Sequence, residues 1–215
     1  MAKGILITFE GMEGSGKTTH AALLAERLRG MGHDPLLTRE PGGTPLGQRV
    51  REILLDPRTG ELDPLTELLL FSAARRELVT QVTAPALAEG RIVLCDRYAD
   101  STRAYQGHGR GVDRDLIGRI SSLVIAGATP ARTLLFDLTP EEGLARAIGR
   151  NAREGGHETR FENEKLEFHR RVRDGFLAIA RAEPNRVTVI DAAAPVERVQ
   201  EAVVAAVAGV IPPKA

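Results

Sequence analysis

A glycine-rich segment near the start of the chain constrains its fold more than any other feature. Residues 11–19 read Gly-Met-Glu-Gly-Ser-Gly-Lys-Thr-Thr and directly follow the apolar run at 5–9. The spacing G-x-x-x-x-G-K-T is that of a phosphate loop, in which the glycines let successive backbone N–H groups point at a phosphate. Apolar residues then repeat at helical spacing over 21–28, so a strand, the loop and a helix follow in the order that this motif requires. The segment therefore predicts nucleotide binding, and the alternative is a glycine-rich turn that matches by chance.

The side chains of this loop have expected tasks. Lys17 is expected to bridge the β- and γ-phosphates of the nucleotide from an exposed position, and Thr18 is expected to offer its hydroxyl to Mg²⁺. The backbone N–H groups of the loop would hold the phosphates. The expected nucleotide-binding residues are Gly11, Met12, Glu13, Gly14, Ser15, Gly16, Lys17, Thr18 and Thr19.

The composition is typical of one globular domain spanning 1–215, since 42% of the residues are hydrophobic and 27% are charged. The formal net charge is zero, which removes the electrostatic argument for a nucleic-acid or membrane partner. No apolar stretch approaches the ~20 residues of a membrane span, and no signal peptide precedes the first predicted strand. The single cysteine, Cys95, lies in an apolar run and is expected to be a core residue. We therefore expect a cytoplasmic protein.

Short β-rich runs alternate with helical periods along the whole chain. Alternation of this kind predicts an α/β fold with a parallel sheet and helices on both faces, and the mostly apolar strands agree with a sheet that is covered on both sides. The expected strands are 4–9, 35–38, 91–95, 133–138 and 187–191, and the expected helices are 16–30, several within 44–89, 113–126, 140–151, 162–183 and 195–209.

The third predicted strand ends in an Asp-Arg-Tyr sequence at 96–98. Ligands of parallel sheets collect beyond the carboxyl ends of the strands, which places Asp96 and Arg97 beside the phosphate loop. Asp96 would then be the acidic residue near Mg²⁺, and the alternative is a structural ion pair between the two side chains. A polar, glycine-rich run follows and is expected to form a wall of the binding site; its candidate residues are Ser101, Tyr105 and Gln106.

Two further segments carry candidate ligand contacts. Arg39 directly follows the second predicted strand, in the turn Thr-Arg-Glu-Pro-Gly-Gly-Thr at 38–44. A charged residue at the end of a buried strand usually contacts solvent or a ligand. Phe71 and Arg75 lie four residues apart, on one face of a predicted helix. The aromatic ring is either a core residue or a stacking platform for a base, with the arginine as an adjacent donor.

Residues 150–160 have no apolar periodicity and contain a glycine pair and three arginines, Arg150, Arg153 and Arg160. Two interpretations are open for this lid segment. It is either a solvated surface loop or a mobile lid over the binding site.

Four blocks of the sequence together resemble one family, bacterial thymidylate kinase. They are the phosphate loop with its Glu-Gly pair at 13–14, T-R-E-P-G-G-T at 38–44, L-L-L-F-S-A-x-R at 68–75 and V-L-C-D-R-Y-x-x-S-x-x-A-Y-Q-G-x-G-R-G at 93–111. The resemblance runs from end to end and implies a three-layer P-loop kinase fold, with a parallel five-stranded sheet flanked by helices and a short mobile lid. It also implies phosphoryl transfer from ATP to deoxythymidine monophosphate (dTMP) in dTTP biosynthesis, with Mg²⁺ as cofactor and with a homodimer as the assembly.

The resemblance assigns roles to the residues that match the family blocks. Lys17 and Thr18 would contact the ATP phosphates and Mg²⁺, with Asp96 as the second metal-site residue. The catalytic residues that it implies are Lys17, Arg97, Arg153 and Arg160. The dTMP-binding residues that it implies are Glu13 at the 3′-hydroxyl, Arg39 and Arg97 at the phosphate, Phe71 stacked on thymine, Arg75 at the base edge, Ser101 and Gln106 in the base pocket, and Tyr105 beneath the sugar, where it disfavours a 2′-hydroxyl.

The resemblance also bears on the lid segment. Family members with an acidic residue and a glycine at 13–14 lack the phosphate-loop arginine that other members carry at position 14, and they supply an arginine from the lid instead. Arg153 and Arg160 are therefore the expected contacts with the transferring phosphates, and Arg150 is less favoured because it belongs to the preceding predicted helix. The family commonly has Asp where this chain has Thr159.

The Glu40–Pro41 peptide is expected to be cis. A tight Glu-Pro-Gly-Gly turn must aim Arg39 at the acceptor phosphate, and similar family members have a cis-proline here.

Other P-loop proteins remain as alternatives. A different nucleotide or nucleoside kinase would share the phosphate loop, although Arg39 together with Arg97 favours an acceptor that carries a phosphate. A P-loop GTPase would need a guanine-reading N-K-x-D segment, and the sequence contains none. A metal hydrolase is disfavoured because the histidines have no ligand spacing.

Overall fold

The structure, a computed structural model, describes residues 4–154 and 159–211. Within these residues five parallel strands form one sheet, in the order β2-β3-β1-β4-β5. The strands are β1 (Ile5–Gly11), β2 (Leu36–Arg39), β3 (Ile92–Asp96), β4 (Arg132–Asp137) and β5 (Val187–Asp191). Each overlaps a predicted strand, with its ends displaced by one or two residues at most, so the predicted parallel sheet is confirmed.

Helices connect the strands and cover both faces of the sheet. Consecutive residues of β1 enter different apolar clusters, because side chains alternate between the faces of a strand. Ile7 packs with Leu24 in one cluster, and Leu6 packs with Leu78 in another. The helices are α1 (Lys17–Gly30), α2 (Pro45–Leu55), α3 (Pro64–Leu78), α4 (Ala84–Ala88), α5 (Ala99–Thr102), α6 (Arg114–Ile125), α7 (Pro140–Glu154), α8 (Leu166–Ala182) and α9 (Val196–Val207).

Two helix boundaries near the lid segment differ from the prediction. The helix expected over 162–183 begins at Leu166, because 159–164 forms turns in which the N–H of Asn163 donates to the carbonyl of Thr159 at 3.0 Å. The helix expected over 140–151 continues to Glu154, since residues 150–154 contain neither glycine nor proline. Arg153 is therefore a helical residue. Residues 155–158 lie outside the described residues, so the expected mobility of the lid stays a prediction.

The polar run after β3 is helical rather than irregular. The short helix α5 continues into wider π-helical turns over Arg103–Gly109. These turns bury Tyr105 and Gln106 against the rest of the molecule, with 5% and 1% of each residue exposed. Helical turns of this kind often occur at functional sites.

Strand register brings the predicted site residues to one edge of the sheet. Asp96 at the end of β3 pairs with Phe9 of β1 on one side and with Arg39 of β2 on the other. The phosphate loop, the arginine turn and the Asp-Arg sequence therefore emerge side by side, as expected for the carboxyl ends of parallel strands.

Cys95 of β3 is fully buried, as predicted for a core residue. Burial raises the pKa of its thiol well above the usual value. In the described part of the chain, no helix is both long enough and apolar enough to span a membrane.

Candidate functional site

An open cavity of about 750 Å³ lies at the carboxyl ends of β1, β2 and β3. It is lined by the phosphate loop, the Arg39 turn, α3, the segment after β3 and α7. The predicted site residues that line it are Glu13, Gly14, Gly16, Lys17, Thr18, Thr19, Arg39, Phe71, Arg75, Asp96, Arg97, Ser101, Tyr105, Gln106 and Arg153. Gly11, Met12 and Ser15 are buried behind the loop surface, where they contribute to its shape.

The phosphate loop has the backbone that its glycines permit. Gly14 and Gly16 have φ angles of 71° and 89°, in the left-handed region that glycine adopts without strain. Helix α1 begins at Lys17, directly after the loop, so its positive end faces the cavity. This geometry suits the binding of a phosphate.

Lys17 is not exposed as expected, since only 6% of the residue is accessible. Its Nζ curls over the loop and donates to the carbonyl of Met12 at 2.5 Å and to Oγ of Ser15 at 3.2 Å. Burial, together with the nearby guanidinium of Arg97, lowers the pKa of Lys17 to about 7. A bound phosphate would replace these carbonyl and hydroxyl partners with an anion.

Thr18 and Asp96 form a pair of hard oxygen ligands beside the loop. The hydroxyl of Thr18 donates to Oδ2 of Asp96 at 2.5 Å. Mg²⁺ is usually held by one or two protein oxygens together with substrate phosphates and waters. The donor set therefore fits a magnesium ion that is bound along with a nucleotide.

Arg97 joins the loop to the segment after β3. One of its terminal nitrogens donates to Oε1 of Glu13 at 3.0 Å and to the hydroxyl of Tyr105 at 3.3 Å, and the other donates to Oγ of Ser101 at 3.2 Å. The Tyr105 hydroxyl donates to the same oxygen of Glu13 at 2.6 Å. Burial alone would raise the pKa of Glu13, but Arg97, Lys17 and the Tyr105 hydrogen bond hold it below its usual value. Arg97 thus forms an ion pair with Glu13, and not the pair with Asp96 that was the alternative interpretation of the Asp-Arg sequence.

Arg75 is buried at the floor of the cavity. Its guanidinium donates to Oε2 of Glu40 at 2.6 Å, to Oγ1 of Thr102 at 2.9 Å and to the carbonyl of Tyr98 at 2.9 Å. Burial raises the pKa of Glu40 to about 7, and the charge of Arg75 opposes this. The Glu40–Pro41 peptide is cis, as predicted. Arg75 thus has a fixed orientation in the cavity wall.

Phe71 combines the two interpretations that the sequence left open. Its ring is half-buried and lies 6.2 Å from the ring of Phe161, and it also lines the cavity. Phe161 in turn meets the ring of Tyr105 edge-on at 5.5 Å. The three rings form an aromatic wall beside Arg75, which is suitable for stacking on a flat ligand.

Three buried glutamates that the sequence reasoning did not assign hold predicted site residues in place. Glu10 accepts from Oγ of Ser101 at 2.5 Å, Glu40 accepts from Arg75, and Glu67 accepts from Nε2 of Gln106 at 2.8 Å. One signal was available in the sequence. Glu67 precedes Phe71 by four residues, as Phe71 precedes Arg75, so all three share one face of α3.

The structure places Arg160 away from the other predicted phosphate contacts. Its guanidinium pairs with the carboxylate of Glu67, and its Nε donates to the carbonyl of Leu54 at 2.5 Å. It does not line the cavity, because the buried carboxylate of Glu67 needs a cation and Arg160 supplies it.

Other arginines approach the cavity from α7. Arg153 lines it, together with Arg150 and Arg146. Arg146 was not predicted. Its signal was the spacing 146, 150 and 153, which places the three side chains on one face of a helix.

Helix α7 begins in close contact with the phosphate loop. A Cβ added to Gly14 would lie 2.2 Å from the carbonyl oxygen of Gly143, and a Cβ added to Gly143 would lie 2.7 Å from the carbonyl oxygen of Glu13. The loop and the helix that carries the three arginines therefore meet through two glycines.

Known proteins share both the sequence and the fold. The sequence model of the thymidylate kinase family matches residues 9–203. A thymidylate kinase from Deinococcus radiodurans is 53% identical over 207 residues, covering 96% of this chain and 98% of the relative. One from Geobacter sulfurreducens is 53% identical over 189 residues, covering 87% and 89%. The crystal structure of the thymidylate kinase from Ehrlichia chaffeensis superposes with a TM-score of 0.75 at 39% identity, covering 94% of this chain and 98% of that one.

These similarities extend over the phosphate loop, the cavity walls and α7 alike, and they agree with the resemblance of the four sequence blocks. The chain belongs to the thymidylate kinase family.

Proposed function

We propose that the cavity transfers the γ-phosphoryl group of ATP to the phosphate of dTMP, giving dTDP and ADP. The observation that carries this proposal is the composition of this cavity, whose two ends differ in chemistry. A phosphate loop with a Thr18–Asp96 oxygen pair forms one end, and an aromatic wall with Arg75 and Gln106 forms the other. One end suits a triphosphate and the other suits a base, so a donor and an acceptor nucleotide could meet between them.

On the donor side, the loop amides and Lys17 would hold the β- and γ-phosphates. Thr18 and Asp96 would hold Mg²⁺, which when bound neutralises phosphate charge. The attacking phosphate oxygen of the acceptor is already ionised, so no general base is needed. Catalysis then consists of positioning and of stabilising charge.

On the acceptor side, two arginines from neighbouring strand ends would bind the phosphate of dTMP. Arg39 is exposed at the cavity mouth, and Arg97 lies deeper, beside Glu13. We assign the nucleoside to the residues between them and the aromatic wall: Phe71 stacks on thymine, Arg75, Ser101 and Gln106 contact the base, Tyr105 lies beneath the sugar, and Glu13 accepts from the 3′-hydroxyl.

For the charge that develops during transfer, we assign Arg153 as the main lid contact, with Arg150 and Arg146 beside it. All three belong to α7 and line the cavity. Arg160 is replaced in this role because it is committed to Glu67.

A coupled assay of ADP release across a panel of monophosphates tests the proposed acceptor. We expect kcat/KM for dTMP to exceed that for dUMP by about 10- to 200-fold, because one methyl group in an apolar pocket contributes about 1–3 kcal/mol. Purine monophosphates should be nearly inert. Equal kcat/KM for dAMP or dGMP would overturn the assignment of a thymine pocket.

The same assay tests Lys17. Lys17→Ala should abolish transfer while circular dichroism shows an intact fold, because the residue contributes transition-state charge. Retention of more than about a tenth of the kcat would contradict this role.

We also propose that the protein acts as a cytoplasmic homodimer, with α3 and α6 at the interface. These helices pack against each other and carry exposed leucines: Leu65, Leu69 and Leu123 are 43%, 51% and 78% accessible. A second copy of the chain would cover them. In sedimentation experiments Leu123→Glu should yield monomers, whereas Val196→Glu, at an exposed site on α9, should not. A monomeric unmodified protein would refute the dimer.

A further inference from the structure

Glu67 is a buried carboxylate at which side chains from three separate segments of the chain meet. None of its surface is accessible, and it lies on the face of α3 that also carries Phe71 and Arg75. Three side chains donate to it. They are Nε2 of Gln106 at 2.8 Å, Nε of Arg110 at 3.2 Å and Nη2 of Arg160.

A carboxylate can only accept hydrogen bonds, so it determines which end of the Gln106 amide faces it. The two ends of an amide have nearly the same shape, and their assignment follows from the partners that they meet. Beside Glu67 the NH₂ group must face the carboxylate, which leaves the carbonyl oxygen of Gln106 for the cavity that this residue lines.

Arg110 and Arg160 both pair with the carboxylate of Glu67 and hold it in place. Arg110 lies over the ring of Phe168 at 4.6 Å and pairs with Glu164 at 2.6 Å, and Arg160 lies over the ring of Phe161 at 4.7 Å. Both cations are thus fixed by contacts of their own. A neutral or mobile group at position 67 would let the Gln106 amide take either orientation.

The cavity therefore presents a defined pair of groups to a base. Arg75 carries only donors and is oriented by Glu40, while Gln106 offers an acceptor oxygen. A pyrimidine with a carbonyl oxygen next to a ring N–H, such as thymine or uracil, complements this pair. Cytosine has an amino group and an unprotonated ring nitrogen at the same places, so it meets donor with donor and acceptor with acceptor.

We propose that Glu67 is a positioning residue that sets base specificity: by fixing the amide of Gln106, it makes the pocket select a base with a ring N–H over cytosine. This inference rests on the proposed location of the base beside Phe71 and Gln106. Glu67 itself does not touch the substrate.

The test compares kcat/KM for dTMP and dCMP at saturating ATP in Glu67→Gln and in the unmodified enzyme. We expect the preference for dTMP over dCMP to fall by at least about tenfold, because the amide of Gln106 can then turn over. KM for dTMP should rise about tenfold, while KM for ATP and kcat at saturating dTMP change by less than about twofold. A general loss of stability would not change the ratio of two acceptors.

Glu164→Gln is the matched control. It also removes a carboxylate that pairs with Arg110, but Glu164 does not contact Gln106, so the ratio should stay at the unmodified value. Should Glu67→Gln fail to fold, Glu67→Asp retains the charge for both arginines and withdraws the carboxylate from Gln106 by one methylene. It should show the same fall in the ratio.

Gln106→Leu tests the location of the base pocket independently of the role of Glu67. If it impairs dTMP binding while folded Glu67 variants keep the unmodified ratio, the role of Glu67 is refuted and the base pocket stands. If Gln106→Leu leaves KM for dTMP unchanged, the base does not lie beside Gln106, and both the pocket and the inference fail.

Discussion

Arg160 and Glu67 form an ion pair in which only 7% and 0% of the two side chains are accessible. The backbone N–H of Arg160 also donates to the carbonyl of Leu55 at 3.1 Å. Arg160, which follows residues 155–158, therefore contacts both α2 and α3. Arg153, which precedes these residues, belongs to α7. The two arginines that the resemblance favoured equally, Arg153 and Arg160, consequently have different surroundings.

This difference predicts that alanine at position 160 lowers stability, whereas alanine at position 153 lowers activity. Arg160→Ala leaves Glu67 with less cationic compensation in a buried place, and we expect it to destabilise the protein by about 3 kcal/mol. Arg153→Ala should leave the melting temperature unchanged and lower kcat by about 100-fold or more, with little change in KM for dTMP. Calorimetry and steady-state kinetics on both variants check this.

Arg170→Ala serves as the control for both measurements, because Arg170 is an exposed arginine that pairs with Glu141 outside the cavity. The triple replacement of Arg146, Arg150 and Arg153 should lower kcat by more than about tenfold. A smaller loss would mean that Arg97 or Arg39 stabilises the charge that develops on the transferring phosphoryl group.

Replacement of Asp96 should change the magnesium requirement. Asp96→Asn removes the charge from one of the two proposed ligands, so the Mg²⁺ concentration at half-maximal rate should rise at least about tenfold. Titration of activity with Mg²⁺ at fixed ATP measures it. Asp137→Asn, at the end of β4 and paired with Arg173, tests whether any strand-end aspartate has this effect. A similar shift in both variants would speak against the metal site.

Phe71→Ala should affect one substrate only. The ring lines the acceptor end of the cavity, so its loss should weaken dTMP binding by about 1–3 kcal/mol and raise KM for dTMP by about 5- to 150-fold. KM for ATP should stay nearly constant. Leu70→Ala removes a neighbouring half-buried side chain of the same helix that does not line the cavity. Equal changes of both KM values in Phe71→Ala would make Phe71 an ordinary core residue.

The stability of the protein should depend on His169 below neutral pH. This residue is fully buried, with backbone groups of Phe161 and Glu164 beside its ring. Burial lowers its pKa below the usual 6.5, although the carboxylate of Glu13, with Oε2 at 3.9 Å from Nδ1, opposes this. Between the usual pKa and the lowered one, the unfolded chain binds a proton that the folded chain does not, so stability falls as the pH falls through this interval.

His169→Phe removes that proton from the unfolded chain. Urea unfolding at pH 7 and pH 5.5 should therefore show a smaller loss of stability in the variant than in the unmodified protein. The same pH dependence in both proteins would mean that His169 is protonated in the fold.

The parts of the site that the sequence predicted well are local in the chain. The phosphate loop is one continuous segment, the Phe71–Arg75 pair is one helical period, and Asp96 ends an apolar strand, so spacing alone is informative. The buried partners are not local. Glu67 meets Arg160 through a fold that brings α3 to the turns after α7, and no periodicity within either segment indicates this contact.

Burial of polar groups was the other feature that spacing could not predict. Lys17 was expected to be exposed because lysine usually is, yet its own loop encloses it. The helical turns over 103–109 were also missed, because two glycines in a polar run resemble a loop until Tyr105 and Gln106 are seen to be buried.

The two glycines at which α7 meets the phosphate loop limit how this enzyme could evolve. An arginine at position 14 would bring its Cβ within 2.2 Å of the carbonyl oxygen of Gly143 unless α7 first moved away. Moving α7 would withdraw Arg146, Arg150 and Arg153 from the cavity before the new arginine was in place. In this chain, therefore, one substitution at position 14 would not exchange the arginines of α7 for an arginine in the loop, because the helix and the loop would have to change together.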